Sequence, residues 1–138
     1  MKQSKKTAIS LFCSFIALLF GLIIYIFCRQ GTHIHTLLKD CFSLSLPYLP
    51  LGGVFGVLIR NWGGDFFWGL ALCFLLAVIF KPFRHKLVFA VTVTVTLGAL
   101  LEILQFYGVI TGTGDVFDIV AEATAAVCAA NIIKRGNL

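Results

Sequence analysis

Charged side chains are scarce in this sequence. Asp, Glu, Lys and Arg make up 12% of its 138 residues, and Asp and Glu together number six, whereas roughly 25% charged residues are usual in a soluble domain. Apolar residues account for 59%, and the mean hydropathy is +0.99. The composition therefore excludes a soluble globular protein and predicts an integral membrane protein.

Long polar stretches and repeats are also lacking. A chain of 138 residues has room for four or five spans of ~20 residues with short loops, and for no separate soluble domain. The net charge of +5 comes from short Lys and Arg clusters at the ends of apolar runs. Membrane topology and anionic lipid explain such clusters better than nucleic-acid binding does, so we expect membrane lipids and no nucleic acid as partners.

No metal or disulfide pattern stands out. The five cysteines, Cys13, Cys28, Cys41, Cys73 and Cys128, are odd in number and lack metal-ligand spacing, so we interpret them as packing residues. His33 and His35 have no third ligand nearby and suit a solvated interfacial pair. We therefore expect neither a cofactor nor a metal. The first apolar run, which follows a Lys-rich start, is about 21 residues long and is expected to be a retained span.

The apolar runs predict an all-α, polytopic transmembrane helix bundle of four to five spans. The single transmembrane domain covers 1–138, with spans at about 8–28, 42–59, 66–80, 87–109 and 116–133. The second run contains Pro47 and Pro50, each of which removes a backbone donor and bends a helix. It is therefore either a kinked span or a re-entrant segment packed inside the bundle.

Lys and Arg in the short loops predict the orientation. They are dense in 81–86, follow the last span, and are absent from the turn 111–115. The loop 81–86 and the C-terminus are therefore expected in the cytoplasm and the turn outside. Five full spans would put the N-terminus outside, against its own lysines, whereas a re-entrant second segment would put it inside. The sequence leaves both open.

Four of the six acidic residues lie near this turn, within or at the mouth of apolar runs. At 100° per residue, the fourth span presents Thr94, Gly98, Glu102 and Gln105 on one face, and the fifth presents Asp115, Asp118, Glu122, Ala125, Ala126 and Ala129. Small residues let transmembrane helices approach closely, so the two stripes are expected to face each other. The cluster of Glu102, Gln105, Asp115, Asp118 and Glu122 is the candidate functional site.

The acidic residues lie at different depths, so we interpret the two glutamates and the two aspartates differently. Glu102 and Glu122 each lie about one and a half to two turns from the outer end of their helices, so we expect them to meet ~10 Å below the surface. Two carboxylates there cannot both stay charged and unpaired, and they would share a proton, a cation or a ligand's positive group. Asp115 can instead cap the last helix, with Asp118 favouring its positive end.

The motif Glu102-x-x-Gln105-Phe106, followed by Asp115-x-x-Asp118-x-x-x-Glu122 and a run of small residues, resembles the VanZ-like family of small bacterial membrane proteins. Tyr48-Leu49-Pro50-Leu51-Gly52 is similar to that family's Phe-x-Pro-aliphatic-Gly motif. The resemblance implies a bacterial plasma-membrane protein of the cell envelope. It also implies an association with antibiotic resistance, as lowered susceptibility to glycopeptides of the teicoplanin type.

This chain departs from the family pattern at several positions. Glu122 stands where the family has Asn, Ala125 and Ala126 stand where it has Gly, and an arginine before the aspartates is absent. Gly64-Asp65-Phe66-Phe67-Trp68 resembles a related, uncharacterised group with a Gly-Asp-x-x-Trp motif. We therefore add Tyr48, Pro50, Gly52, Gly64, Asp65 and Trp68 as secondary motif residues.

Three functions suit an acidic pocket in the membrane. The favoured one is a non-enzymatic envelope protein that binds an extracytoplasmic ligand, such as a lipid-linked intermediate, another amphiphile or a partner helix. The second is an enzyme acting on a lipid, with Glu102 or Glu122 as general acid or base and Asp118 as partner. The third is a proton- or cation-coupled carrier, which at this size requires a homo-oligomer.

Overall fold

The computed structural model describes residues 2–29, 33–43 and 47–136. The regular elements in these ranges are α1 (Lys2–Cys28), α2 (His33–Phe42), α3 (Gly53–Leu58), a π-helical turn (Ile59–Gly63), α4 (Gly64–Ile79), α5 (Lys86–Phe106) and α6 (Val116–Gly136). Four helical stretches within them are long and apolar enough to cross a membrane. The predicted all-α bundle of four to five spans is confirmed.

The region from 42 to 80 differs from the expectation. The helix from Gly53 to Ile79 is continuous over 27 residues, so the stretches 42–59 and 66–80 are not two separate spans. Residues 60–65, which lie between the two expected spans, are helical and include most of the π-helical turn. A membrane offers no water to the backbone N–H and C=O groups, so it favours a hydrogen-bonded helix over a turn, whatever the local Gly content.

Pro47 and Pro50 precede this helix rather than kink it. They stand in the non-helical segment 47–52, where the Leu49 N–H donates to Phe27 O at 2.9 Å. The two rings lack N–H donors and disfavour helix in the residues before them. A Cβ atom at Gly56 would collide with the carbonyl of Leu51, which shows that this segment lies directly against α3.

The helices pack around α4. α1 packs along α4, α4 packs on α5 and α6, and α5 packs on α6. Among the described residues the extensive contacts of α1 are with α4 and the π-helical turn. At the start of α1, Lys81 Nζ donates to Thr7 Oγ1 at 2.8 Å, so this end lies beside the loop between α4 and α5.

Most basic residues lie at that same end of the bundle. Eight of the eleven Lys and Arg residues are there, at positions Lys2, Lys5, Lys6, Lys81, Arg84, Lys86, Lys134 and Arg135. We call this the basic end. Arg29 and Arg60 lie at the opposite end, where the turn between α5 and α6 also lies.

The apolar core occupies the half of the bundle next to the basic end. It is built from Cys73, Phe74, Leu76, Ala77, Ala90, Ala126, Ala129 and Ile133. The small residues of α6 also contact α4, because Cys73 Sγ donates to Ala126 O at 3.4 Å. The predicted face of small residues on α6 is therefore buried, and α6 packs against α4 as well as α5.

Candidate functional site

A cavity of about 860 Å³ opens in the half of the bundle away from the basic end. One wall comes from α1, the opposite wall comes from α5, α6 and the turn between them, and α4 lies between. Its charged and amide groups belong to Arg29, Arg60, Asp65, Glu102, Gln105 and Asp118. A volume in this range is typical of small-molecule sites.

Five of the six acidic residues of the chain gather at this end. Asp118 interacts with the like charges of Asp65, Glu102 and Asp115, and Glu122 with those of Asp65, Glu102 and Asp118. We call these five residues the acidic cluster. Sequence reasoning placed Asp65 in a separate motif, and the structure brings it to the other four. The sixth acidic residue, Asp40, is exposed on α2.

The turn between α5 and α6 is held by glycines and by the end of α5. Gly108, with φ of 68°, allows a Schellman motif in which the Val109 N–H donates to Leu104 O and the Gly108 N–H to Gln105 O, both at 2.9 Å. Gly112, with φ of 145°, lies against the Gln105 amide, where a Cβ atom would come within 2.5 Å of Cδ. The turn is thus folded back onto the cavity.

Glu102 and Asp115 fix the start of α6. The Asp115 N–H donates to Glu102 Oε2 at 2.6 Å, and Asp115 Oδ1 accepts from the Phe117 N–H at 2.9 Å. Asp115 is therefore the N-cap of α6, the role that its position in the sequence allowed. Glu102 ties the two helices together while it lines the cavity.

Glu122 is buried where α4, α5 and α6 meet, with only 6% of its surface exposed. A Cβ atom at Gly98 would overlap its Oε2, and one at Gly69 would come within 3.0 Å of its Cα and carbonyl oxygen. Two glycines thus make the space for one glutamate. Its Oε2 accepts no hydrogen bond from the described residues.

The two glutamates contact different parts of the bundle. Glu102 reaches toward the turn and binds the Asp115 N–H, whereas Glu122 Oε2 lies against Gly98, one helical turn along α5 from Glu102. We expected them to meet at one depth from residue counting alone. Their side chains point to different partners, so the acidic cluster extends over more than one level.

Arg29 lies in the wall opposite to Glu102. Its Nε donates to Arg60 O at 3.2 Å, its Nη2 donates to Asn61 O at 2.6 Å, and Nη2 lies 3.8 Å from Asp65 Oδ2. The acceptors are carbonyls of the π-helical turn, an element that is frequent at functional sites. Asp65 Oδ2 is buried and accepts no hydrogen bond from the described residues.

Sequence reasoning did not include Arg29, Arg60 or Asn61 in the site. A usable signal was present, because Arg29 ends an apolar run and Asp65 opens another, and opposite charges at such positions are candidates for pairing. Gly64 and Trp68 of the same motif also line the cavity. Tyr48, Pro50 and Gly52 stand in the segment 47–52 and do not line it.

No group of three or more His, Cys, Asp or Glu side chains in the described part of the chain is arranged to hold a metal ion. The side chains of His33 and His35 lie outside the described residues. Comparison of the chain with protein-family models, with curated proteins and with solved structures gives no match.

Proposed function

We propose that this chain is a multi-pass protein of the bacterial plasma membrane that binds an amphiphilic envelope molecule in its cavity. The observation that carries the proposal is the lining of that cavity. Its charged groups come from Arg29 directly after α1, from Arg60 in the π-helical turn, and from α4, α5 and α6. Leu18, Leu22 and Trp68 add apolar surface to the lining. A cavity of about 860 Å³ that has both charged and apolar lining suits a ligand that has a polar head and an apolar body.

The proposed orientation puts the cavity on the extracytoplasmic side. Eight of the eleven Lys and Arg residues lie at the basic end, and cytoplasmic loops carry an excess of these residues. With four spans both termini fall on the cytoplasmic side, which agrees with the lysines near the N-terminus. The envelope ligand would then reach the cavity from the outer leaflet.

Labelling in intact cells tests this orientation. Thr113, exposed in the turn beside the cavity, is replaced by Cys in a background without the five native cysteines. We expect a membrane-impermeant thiol reagent to label intact cells. Labelling that occurs only after lysis would invert the topology and direct the search to cytoplasmic ligands.

The cellular role we propose is that of a VanZ-like protein, because Glu102-x-x-Gln105 and Asp115-x-x-Asp118 line or border the cavity. Expression of the wild type in a susceptible bacterium should raise the teicoplanin concentration needed to stop growth. The double variant Glu102→Gln, Glu122→Gln should lose this effect, because it removes two of the five charges of the acidic cluster.

The matched control is Asp40→Asn, which neutralises the acidic residue outside the cluster and should retain the wild-type effect. Immunoblots of membrane fractions must show equal amounts of all three proteins. Full activity of the double Gln variant at equal expression would contradict a role for the acidic cluster in this function.

A further inference from the structure

We propose that the ligand carries a primary ammonium group beside an anionic group, as an aminoethyl phosphate headgroup does, on an apolar chain. This inference rests on the proposed function and adds the chemistry of the ligand. It follows from four features of the cavity: its excess of carboxyl groups, an Asp65 oxygen that accepts no hydrogen bond from the described residues, the placement of its charged groups, and its apolar lining.

Carboxyl groups outnumber guanidinium groups at the cavity end. The acidic cluster brings five carboxyl groups, and Arg29 and Arg60 bring two guanidinium groups. Like charges repel strongly where water is excluded, because the effective dielectric constant is low. A positively charged group in the ligand would relieve this repulsion, so a purely anionic ligand is disfavoured.

The Asp65 carboxyl group points to an ammonium that has N–H bonds. Asp65 lines the cavity with its side chain partly exposed, its Oδ2 lies 3.8 Å from Arg29 Nη2, and this oxygen accepts no hydrogen bond from the described residues. A primary ammonium offers three donors. A trimethylammonium group carries the same charge but offers no donor, and it therefore cannot satisfy this oxygen.

The guanidinium groups and two of the carboxyl groups lie on different walls. Arg29 directly follows α1 and Arg60 is in the π-helical turn, whereas Glu102 and Asp118 are on α5 and α6. Asp65 of α4 lies between the walls, near both Arg29 and Asp118. Guanidinium groups form charge-assisted hydrogen bonds with phosphate oxygens, so a headgroup with its phosphate toward Arg29 and Arg60 and its ammonium between Asp65 and Asp118 matches this arrangement.

An apolar chain has a place below the headgroup. From Arg29, which directly follows α1, the lining runs back along that helix to Leu22 and Leu18, a length of ~16 Å. Trp68 of α4 lines the same region. Because the extensive contacts of α1 are with α4 and the π-helical turn, the side of the cavity between α1 and α5 is the route by which a chain can enter from the bilayer.

The test uses the full chain in detergent with Trp62→Phe, which makes Trp68 the sole tryptophan. Lysophospholipids with one brominated chain and an ethanolamine, choline or glycerol headgroup are titrated, and quenching of Trp68 fluorescence reports binding. We expect the ethanolamine form to bind at least about tenfold more tightly than the choline form, since charge-assisted hydrogen bonds are lost in the latter. Equal affinity of these two forms would overturn the inference.

Two variants test which carboxyl groups cause the preference for the ethanolamine headgroup over the choline headgroup. Asp65→Asn with Asp118→Asn should reduce it to below ~3-fold, because both changes remove negative charge facing the ammonium. Asp40→Asn should leave it unchanged. Circular dichroism must show equal helix content in all forms. A preference that persists in the double Asn variant would also contradict the inference.

Soluble phosphoethanolamine distinguishes a lipid from a free headgroup. We expect it to compete with the brominated ligand only at concentrations about 100-fold higher, because it forgoes burial of the chain. Competition at equal concentration would refute the inference that the ligand carries an apolar chain. Quenching by all three lysophospholipids without headgroup preference refutes this inference alone, whereas no quenching by any of them refutes the proposed function as well.

Discussion

In the half of the bundle next to the basic end, α4, α5 and α6 meet through residues that expose no surface, such as Cys73, Ala90 and Ala126. The other half contains a cavity of about 860 Å³. Small side chains allow the close approach in the first half, and charged side chains on facing helices oppose it in the second. The packed half can therefore hold the helices in place while the other half stays open.

Glu122 lies where the two halves meet. It belongs to the acidic cluster, yet it is packed between Gly69 and Gly98 as tightly as a core residue. The four predictions below change side chains in the packed half, at this junction, at the turn, and at the cavity wall. They run from the largest expected loss of stability to the smallest.

Enlarging a side chain in the packed half should cost the most. Ala129 has 0% exposed surface on α6, and Ala129→Leu should lower the free energy of unfolding by about 1–3 kcal/mol through overpacking. Unfolding in mixed micelles of increasing SDS content measures the change. The control is Val127→Leu on the same helix, where the side chain is 51% exposed and the cost should stay within ~0.5 kcal/mol. Similar losses for both variants would contradict tight packing in this half.

At the junction, Gly69→Ala should push α6 away from α4. A Cβ atom there lies 3.0 Å from the backbone of Glu122, so the helices must shift, and we expect a loss of about 1–2 kcal/mol. Gly64→Ala, at the start of α4, meets no atom within 4 Å. It should gain ~0.5–1 kcal/mol from the higher helix propensity of Ala. The same SDS titration compares the two, and a stabilising Gly69→Ala would refute the close approach.

The turn provides the third prediction. Asp115→Ala removes the acceptor for the Phe117 N–H and should cost about 1 kcal/mol. Asp115→Asn retains an acceptor oxygen and should cost only a few tenths of a kcal/mol. Hydrogen exchange of the first turn of α6 provides the readout. Equal protection in wild type and Asp115→Ala would show that the cap does not hold this helix end.

The sequence predicts the parts of this architecture that depend on local periodicity. Long apolar runs predict the spans. The 3.6-residue spacing predicts the buried faces, with Thr94 and Gly98 on α5 and Ala126 on α6. Prolines and glycines are less informative, because Pro47 and Pro50 precede a helix and the stretch 60–65 lies within one. At Gly63 and Gly64 the membrane setting overrides the turn preference of glycine.

The site is only partly visible in the sequence for a similar reason. Glu102 and Asp115 are separated by 13 positions and join across one turn, so helix geometry is sufficient to pair them. Arg29 and Asp65 come from helices far apart in the chain, and their contact depends on how α1 packs on α4. Spacing along a single sequence does not encode that packing, whereas charge complementarity between spans offers a partial guide.

The cavity wall provides the last and smallest effect on stability. Leu18 of α1 lines the cavity and is 46% exposed, so Leu18→Phe meets open space and should change the free energy of unfolding by no more than ~0.5 kcal/mol. It also fills part of the apolar floor, and it should therefore weaken binding of the brominated ethanolamine lysophospholipid by about tenfold or more. Leu19→Phe, one position along α1 and outside the cavity lining, should change neither quantity. A loss of stability at Leu18 equal to that of Ala129→Leu would mean that both halves of the bundle are packed alike. The contrast between a rigid half and an open half would then fail, whatever the affinity for the ligand.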